Sequence, residues 1–228
     1  FTTHNVNKAL RHLRLLRNGK LKNAALVLFA KYPNQWFTQC RLKLARFKGN
    51  NRNEMLDSRQ LEGNVFKLFR EAIAFADRHI PIASFFPDNQ LERIDRPLFP
   101  FRASREVLAN AIAHRDYSQR NGSINFAIYD EYIEIWNNGS LVCDLKFSTL
   151  KYLHESRPRN PLISNILYYR KLFEAWGRGI QLIIDECNFA GLVEPEFFER
   201  SGGFCVRFQA NTLVLSQETK LKNDISAR

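Results

Sequence analysis

The sequence predicts an α+β fold, with helices packed on one face of a mixed, largely antiparallel sheet. Two segments, 123–129 and 132–136, alternate apolar and polar residues as half-buried strands do. Only Asp130 and Glu131 separate them, so we expect an antiparallel hairpin. The stretch 61–79 instead places its apolar residues at helical spacing. Sequence-adjacent strands combined with amphipathic helices are typical of the α+β class.

The N-terminal part is predicted to contain two helices and a strand. Residues 4–17 carry leucines at helical spacing, with Thr3 as a candidate N-cap and Gly19 as a candidate stop. The segment 23–30 favours a helix, and the alternation at 41–47 predicts a strand.

The C-terminal part is predicted to continue with strands and helices in a regular order. Asn160 and Pro161 are a favourable N-cap and first-turn pair for a helix. The predicted elements are a strand at 90–97, helices at 102–115 and 161–170, a helix that ends before Gly191, and strands at 195–199 and 203–208.

Two prolines in the stretch 80–89 predict a boundary between structural units. The chain then divides into 1–80, 81–210 and a polar linker at 211–228. Because it begins at Phe1 without an initiator methionine, we interpret the sequence as a piece of a longer protein.

The positive charge is concentrated near the N-terminus. The net charge is +11, and residues 1–53 contain twelve Lys or Arg but no Asp or Glu. Such asymmetry is typical of proteins with an anionic partner, most simply DNA, although a solvated basic face explains it equally well. The candidate nucleic-acid contacts are Arg11, Arg14, Arg41, Lys43 and Arg46.

Several classes of protein are excluded by composition. The four cysteines lie far apart without zinc-ligand spacing, which argues against a zinc site or a disulfide scaffold and favours the cytoplasm. No apolar run approaches the ~18 residues of a membrane span. No Walker A motif is present, so helicase activity is not expected.

The octet HRDYSQRN at 114–121 matches the catalytic-loop pattern of protein kinases. A kinase also needs a glycine-rich loop upstream and a DFG motif downstream, and the sequence has neither. We therefore interpret the match as coincidental, and expect only helix-end contacts from Arg115 and Asp116.

A polar stripe precedes the octet. Glu106, Asn110 and His114 are spaced at i, i+4 and i+8, so they span about 80° of one helix face. An amide oxygen can ligate Mg²⁺, and a carboxylate one turn away can orient water. The alternative is an ordinary amphipathic helix with an exposed polar side.

Two later features favour the phosphate interpretation. The strand 132–136 runs into the turn Asn137-Asn138-Gly139, and Gly177 and Gly179 open a helix. Free backbone N–H groups at a helix start favour bound phosphate.

The motifs REVLANAIAHRDYS, IEIWNNGSL, SRPRNPLISNIL and EAWGRGIQLIIDEC resemble the C-terminal part of RecG-related transcriptional regulators. The similarity covers about residues 8–209. It implies a GHKL-like two-layer sandwich for 81–210, the ATP-binding fold of gyrase, MutL and histidine kinases. It also implies that 1–80 is the end of a Schlafen/AlbA-like DNA-binding region. The linker 211–228 would lead towards a winged-helix domain.

The resemblance implies an ATP and Mg²⁺ site. Glu106 would match the water-activating glutamate and Asn110 the Mg²⁺-binding asparagine, while Asn137 would accept from adenine. The remaining candidate nucleotide contacts are Gly139, Arg157, Arg159, Gly177 and Gly179.

Three departures from the family pattern favour weak or lost nucleotide binding. Asn137 replaces the usual aspartate, Leu141 replaces a glycine, and the second glycine box is short. Two interpretations therefore stand: a nucleotide-responsive regulatory module, at most a weak ATPase, or a scaffold that only dimerises. Direct DNA binding by the basic segment is compatible with both, and a homo-oligomer is expected.

Overall fold

The computed structural model describes residues 5–86, 91–141, 146–152, 157–172 and 178–210. Within these ranges the chain forms six α-helices and a six-stranded mixed sheet, together with two short two-stranded sheets. The predicted α+β class is therefore confirmed.

The predicted elements follow one another in the predicted order, and the structure adds the long strand β4 and several short strands. The helices are α1 (Val6–His12), α2 (Asn23–Phe29), α3 (Val65–His79), α4 (Phe101–His114), α5 (Pro161–Tyr169) and α6 (Gly179–Phe189). The strands are β1 (Leu16–Arg17), β2 (Lys20–Leu21), β3 (Arg41–Phe47), β4 (Met55–Glu62), β5 (Ile82–Phe85), β6 (Ile94–Pro97), β7 (Ile124–Ile128), β8 (Tyr132–Asn138), β9 (Glu196–Arg200) and β10 (Gly203–Gln209).

The large sheet has the strand order β4-β3-β7-β8-β10-β9. β3 and β7 are parallel, and every other neighbouring pair is antiparallel. The predicted hairpin of β7 and β8 is confirmed, with Ile128 opposite Ile133. Strands from both sides of Pro81 thus share one sheet. The division at 80/81 and the linker at 211–228 stay predictions, and the linker lies outside the described residues.

One face of the sheet and the helices enclose the main core. Side chains alternate between the faces of a strand, so every second residue of β3, β7, β8 and β10 points towards the helices. These are buried residues that pack in one cluster with α3 to α6: Leu42, Leu44, Ile124, Phe126, Ile133, Ile135, Val206 and Phe208. The arrangement is a two-layer sandwich.

The prediction of a helix over 4–17 is too long. α1 ends at His12, and Arg14 takes a left-handed φ of +59° that a continuing helix does not allow. Leu15 is fully buried outside the helix, so tertiary burial overrides the local spacing. Asn5 caps the helix by accepting a hydrogen bond from the Lys8 amide. The predicted cap, Thr3, lies outside the described residues.

The prediction of a helix over 61–79 begins too early. Leu61 has helical spacing, yet it lies on β4, where it pairs with Leu42 of β3. No sequence pattern predicted this strand. The helix begins at Val65, with Asn64 as its N-cap. The predicted boundary segment likewise contains β5, which pairs with β6.

Candidate functional site

The polar stripe of α4 contains an internal hydrogen bond. Asn110 Nδ2 donates to Glu106 Oε1 across 3.2 Å. Glu106 is only 3% exposed, whereas Asn110 is half-buried. The carboxylate and the amide therefore form one pair that points in the same direction.

The start of α6 lies directly against this pair. A Cβ atom at Gly179 would come within 2.7 Å of Glu106 Oε1 and 3.2 Å of Asn110 Nδ2. Glycine therefore allows the backbone of α6 to approach the side chains of α4. An ion pair between Arg102 and Glu186, 2.6 Å apart, also links the two helices. The first N–H groups of α6, which carry the positive end of the helix dipole, are next to a carboxylate and an amide.

β8 continues through Asn137 and Asn138, so the predicted turn begins only at Gly139, and this turn after β8 lies against the C-terminal end of α4. Asn137 is 2% exposed and shares the helix-covered face of the sheet with Ile135. The Asp116 amide donates to the Asn138 carbonyl across 2.9 Å. Gly139 has a φ of +123°, and a Cβ there would be 3.2 Å from the Asp116 nitrogen. This turn therefore requires a residue without a side chain.

Arg159 and Asn160 close the same end of α4. Arg159 Nη2 donates to the Ser140 carbonyl across 2.8 Å, and its Nη1 is 3.6 Å from Asp116. Asn160 Nδ2 donates to the carbonyls of Ala113 and Arg115 at 2.9 and 2.7 Å. Asn160 is the N-cap residue of α5, as predicted, but its side chain makes no hydrogen bond to that helix and instead caps the end of α4. α5 does begin at Pro161, as predicted.

Arg115 and Asp116 make helix-end contacts, as predicted. Arg115 is fully buried and donates from Nη2 to the Gly122 carbonyl at 3.1 Å. Burial lowers the pKa of its guanidinium from the usual value. A hydrogen bond from the Ser118 hydroxyl holds the pKa of Asp116 below its usual value. The kinase-like octet thus stabilises the end of α4 and the turn that follows.

The cysteines offer no reactive nucleophile among the residues that the structure describes. Cys40, Cys187 and Cys205 are free and at most 3% exposed. Burial raises the pKa of each thiol to about 12. Cys143 lies outside the described residues. In the described ranges, no three His, Cys, Asp or Glu side chains are close enough together to hold a metal ion.

The comparisons with known proteins support the resemblance seen in the motifs. Residues 121–208 match the family described as "Putative ATP-dependent DNA helicase recG C-terminal". This segment is therefore similar to the C-terminal region of RecG-related proteins. It contains the β8 turn, Arg159 and Gly179, while Glu106 and Asn110 precede it.

A solved structure has the same fold. The chain resembles the DIP2311 protein from Corynebacterium diphtheriae with a TM-score of 0.76 and 16% sequence identity. The likeness covers 90% of this chain and 40% of that one, so this chain spans less than half of its neighbour. At this identity the likeness shows the fold. A search of curated proteins found no match.

The structure brings several of the predicted nucleotide residues together. Glu106, Asn110 and Gly179 are in contact, and the RecG-related turn with Gly139 packs on the end of the same helix. Asn137 is buried beneath α4, and Arg157 is exposed. Gly177 lies outside the described residues.

The predicted nucleic-acid residues differ in their availability. Arg11, Arg14 and Lys43 are exposed. Arg41 forms an ion pair with Glu62, and Arg46 is held by the Asp130 carboxylate. Arg46 therefore stabilises the β7–β8 turn and is poorly placed to contact DNA.

The sequence reasoning missed a charged cluster on the face of the sheet that points away from the helices. Glu134 is 1% exposed, and Arg200 and Arg207 both donate to its carboxylate. The signal was available, because Glu134 and Trp136 are the outward positions of the alternating strand β8. Arg200 and Arg207 lie more than sixty residues further along the chain, and no local pattern identifies them as partners of Glu134.

Across the described helices, none has both the length and the apolar character needed to cross a lipid bilayer.

Proposed function

We propose that this chain is the nucleotide-binding regulatory module of a DNA-binding transcriptional regulator. Mg-ATP would lie between α4, the turn after β8 and the start of α6. The observation that carries the proposal is the contact of the Gly179 backbone with Glu106 and Asn110. Helix N-termini bind phosphate, and carboxylate and amide oxygens are ligands that Mg²⁺ accepts.

The donor set fits a metal–phosphate ligand. The Asn110 amide oxygen would ligate Mg²⁺, and the N–H groups of α6 would donate to phosphate oxygens. Bound Mg²⁺ would neutralise phosphate charge. Since the described residues contain no acidic metal cluster, most ligands of the ion would come from phosphates and water. Glu106 would orient a water molecule, and Asn137 would accept from the adenine amino group.

Hydrolysis is expected to be slow at most. Glu106 is nearly fully buried and already accepts a hydrogen bond from Asn110. Its burial leaves the carboxylate little access to the water that it would have to activate. We therefore propose that nucleotide binding changes DNA affinity or assembly rather than driving a motor.

The test is a thermal melt of the chain with and without millimolar Mg-ATP. A ligand that binds the folded state at a hundred times its Kd stabilises by about 2.7 kcal/mol. We expect Mg-ATP to raise the melting temperature of the wild type, and Asn110→Ala to abolish the increase. Asn165→Ala, an exposed amide change on α5, is the matched control and retains the increase. An unchanged melting temperature in the wild type would contradict the proposal.

The alternative function is a scaffold that has lost nucleotide binding. Two observations favour it: Asn137 lacks the charge of the family aspartate, and its side-chain amide donates to the Asn138 carbonyl at 3.2 Å. The scaffold predicts the same oligomer size and DNA affinity with and without nucleotide. Light scattering and a DNA titration, each at several nucleotide concentrations, distinguish the two functions.

A further inference from the structure

The large sheet has a second face that points away from the helices. Side chains alternate between the two faces of a strand, so the residues between the buried core positions of β3 and β8 point to this second face. These residues pair with one another across neighbouring strands. We call it the aromatic–arginine face. It is formed by Arg52, Tyr132, Trp136, Phe198, Arg200 and Arg207.

A buried carboxylate organises the arginines of this face. Arg200 donates to both oxygens of Glu134, at 2.5 and 2.8 Å, and Arg207 donates twice to Oε1, at 3.0 and 2.6 Å. Arg52 is 3.9 Å from the same carboxylate. Burial raises the pKa of Glu134, but the arginine hydrogen bonds outweigh it and hold the pKa below its usual value. Glu134 is therefore ionised at neutral pH and fixes the guanidinium groups in position.

The guanidinium groups lie over aromatic rings. Arg52 and Arg200 are 5.4 and 5.9 Å from the centre of the Trp136 ring. Arg207 lies 4.8 Å from the Tyr132 ring and 5.3 Å from the Phe198 ring. At these distances cation–π attraction helps to hold each guanidinium group beside a ring. Bases of single-stranded nucleic acid stack on both kinds of surface.

The arginines retain access to solvent although their positions are fixed. The side chains of Arg52, Arg200 and Arg207 are 55%, 32% and 27% exposed. A ligand could therefore approach their outer sides without breaking the bonds to Glu134. Because the side chains are already ordered, binding would lose little conformational entropy.

The face has an excess of positive charge. Lys43 is exposed and belongs to the same cross-strand row as Trp136, through Asn125 of β7. With the three arginines this makes four cations. The carboxylates that pair with them are Glu134 and Glu196, the latter 3.5 Å from Arg207. An excess of two positive charges, spread along a sheet that also carries aromatic rings, complements a polyanion with planar groups.

The edge of the face opens into a cavity of about 570 Å³ beside β9. Phe198 and Arg207 line it together with Lys151 and Glu194. Lys151 pairs with Glu194, and Arg207 with Glu196, so the acidic groups of the cavity are neutralised. The cavity is large enough to receive an unstacked base and its sugar.

We propose that the aromatic–arginine face binds single-stranded nucleic acid, with phosphates on the cations and bases on the ring and guanidinium planes. A duplex keeps its bases stacked inside and would use only the cations. The inference rests on the DNA-binding part of the proposed function, and it assigns that binding to the aromatic–arginine face. It does not depend on the nucleotide site, which lies on the helix side of the sheet.

The test is fluorescence anisotropy with a labelled twelve-nucleotide oligothymidine at several salt concentrations. We expect Lys43→Glu combined with Arg52→Glu to weaken binding at least tenfold and to reduce the salt slope by about 1.4. Both side chains are exposed, so the variant is expected to fold. Arg70→Glu combined with Arg78→Glu makes the same charge change on exposed positions of α3 and is the matched control. We expect that control to stay within threefold of the wild type.

A second variant separates stacking from charge. Trp136→Leu leaves the net charge unchanged, and we expect it to weaken oligothymidine binding about fivefold or more, because stacking on one aromatic ring contributes about 1–3 kcal/mol. Its salt slope is expected to match the wild type. Binding of Trp136→Leu at wild-type strength would overturn the stacking part of the proposal.

The remaining outcomes are equally decisive. Equal weakening in the α3 control, or tighter binding of a duplex of the same length, would overturn the assignment to this face. A concentration-dependent dimer that the face variant abolishes, without oligonucleotide binding, would assign the face to self-association. If Arg11→Glu with Arg14→Glu alone abolishes binding, the regulator proposal survives and this inference fails. The Mg-ATP melting increase, measured on every variant, reports on the nucleotide site separately.

Discussion

The glycine at position 179 determines how closely α6 approaches α4. Because glycine has no side chain, the backbone of α6 can lie against the carboxylate of Glu106 and the amide of Asn110. The spacing of Glu106 and Asn110 is visible in the sequence, and so is the glycine at the start of α6. Their contact requires the chain to return across 70 residues, and no local pattern encodes that return.

The first prediction concerns this contact. Gly179→Ala adds a methyl group that must displace the Glu106 carboxylate, which is the end of a flexible side chain. The helix gains about 1 kcal/mol from alanine, so we expect the unfolding free energy to change by no more than about that amount. The increase in melting temperature with Mg-ATP is expected to fall at least by half. Gln181→Ala on the same helix serves as the control, and a full increase in Gly179→Ala would contradict the site.

At the scale of elements, α4 depends on a contact from another part of the chain. Its last carbonyls accept hydrogen bonds from Asn160, which the sequence suggested as the cap of α5. The residue type was informative, because asparagine at a helix boundary is often a cap. The identity of the helix that it caps was decided by tertiary packing.

The second prediction tests this cap. Asn160→Ala removes two hydrogen bonds to half-buried carbonyls, and we expect a loss of about 2 kcal/mol in unfolding free energy. Asn160→Asp is not expected to restore stability, because an ionised carboxylate cannot donate to carbonyl oxygens. Urea denaturation measures the unfolding free energy of both variants, with Asn165→Ala on the exposed side of α5 as the control. A stable Asn160→Asp variant would show that the two hydrogen bonds contribute little.

At the scale of the whole molecule, the sheet joins the N-terminal segment to the segment 121–208 that matches the RecG-related family. β3 pairs with β7 in parallel, and Leu42 and Leu44 belong to the same core as Ile135 and Val206. Parallel pairing requires a long crossover, here β4 to α4. The two segments therefore share one hydrophobic core.

The third prediction follows from this shared core. Leu44→Ala on β3 and Ile135→Ala on β8 each remove a side chain that is 1% exposed. We expect each to cost about 2–5 kcal/mol and to lower the midpoint of one common transition. Circular dichroism and tryptophan fluorescence are expected to coincide in both variants. Two transitions, each sensitive to only one substitution, would show that the segments fold independently.

The sequence predicted the elements whose spacing is set by neighbours in the chain. The β7–β8 hairpin, β3, α4 and α6 follow from alternation, helical spacing and glycine, and the structure has them close to the predicted bounds. The helix predicted at 61–79 was too long, because Leu61 satisfies helical spacing and strand pairing equally well. Only its partner Leu42 decides between the two.

By itself, therefore, the sequence determined the fold class, the order of most elements, the stripe of Glu106 and Asn110, and the RecG-related resemblance that the family match confirms over 121–208. Tertiary structure alone decided that Gly179 contacts that stripe, that Asn160 caps α4, and that three distant arginines share Glu134. The physical reason is common to all three. The spacing of apolar residues indicates which face of its own helix or strand a residue occupies. Contacts between elements depend instead on how distant parts of the chain pack together.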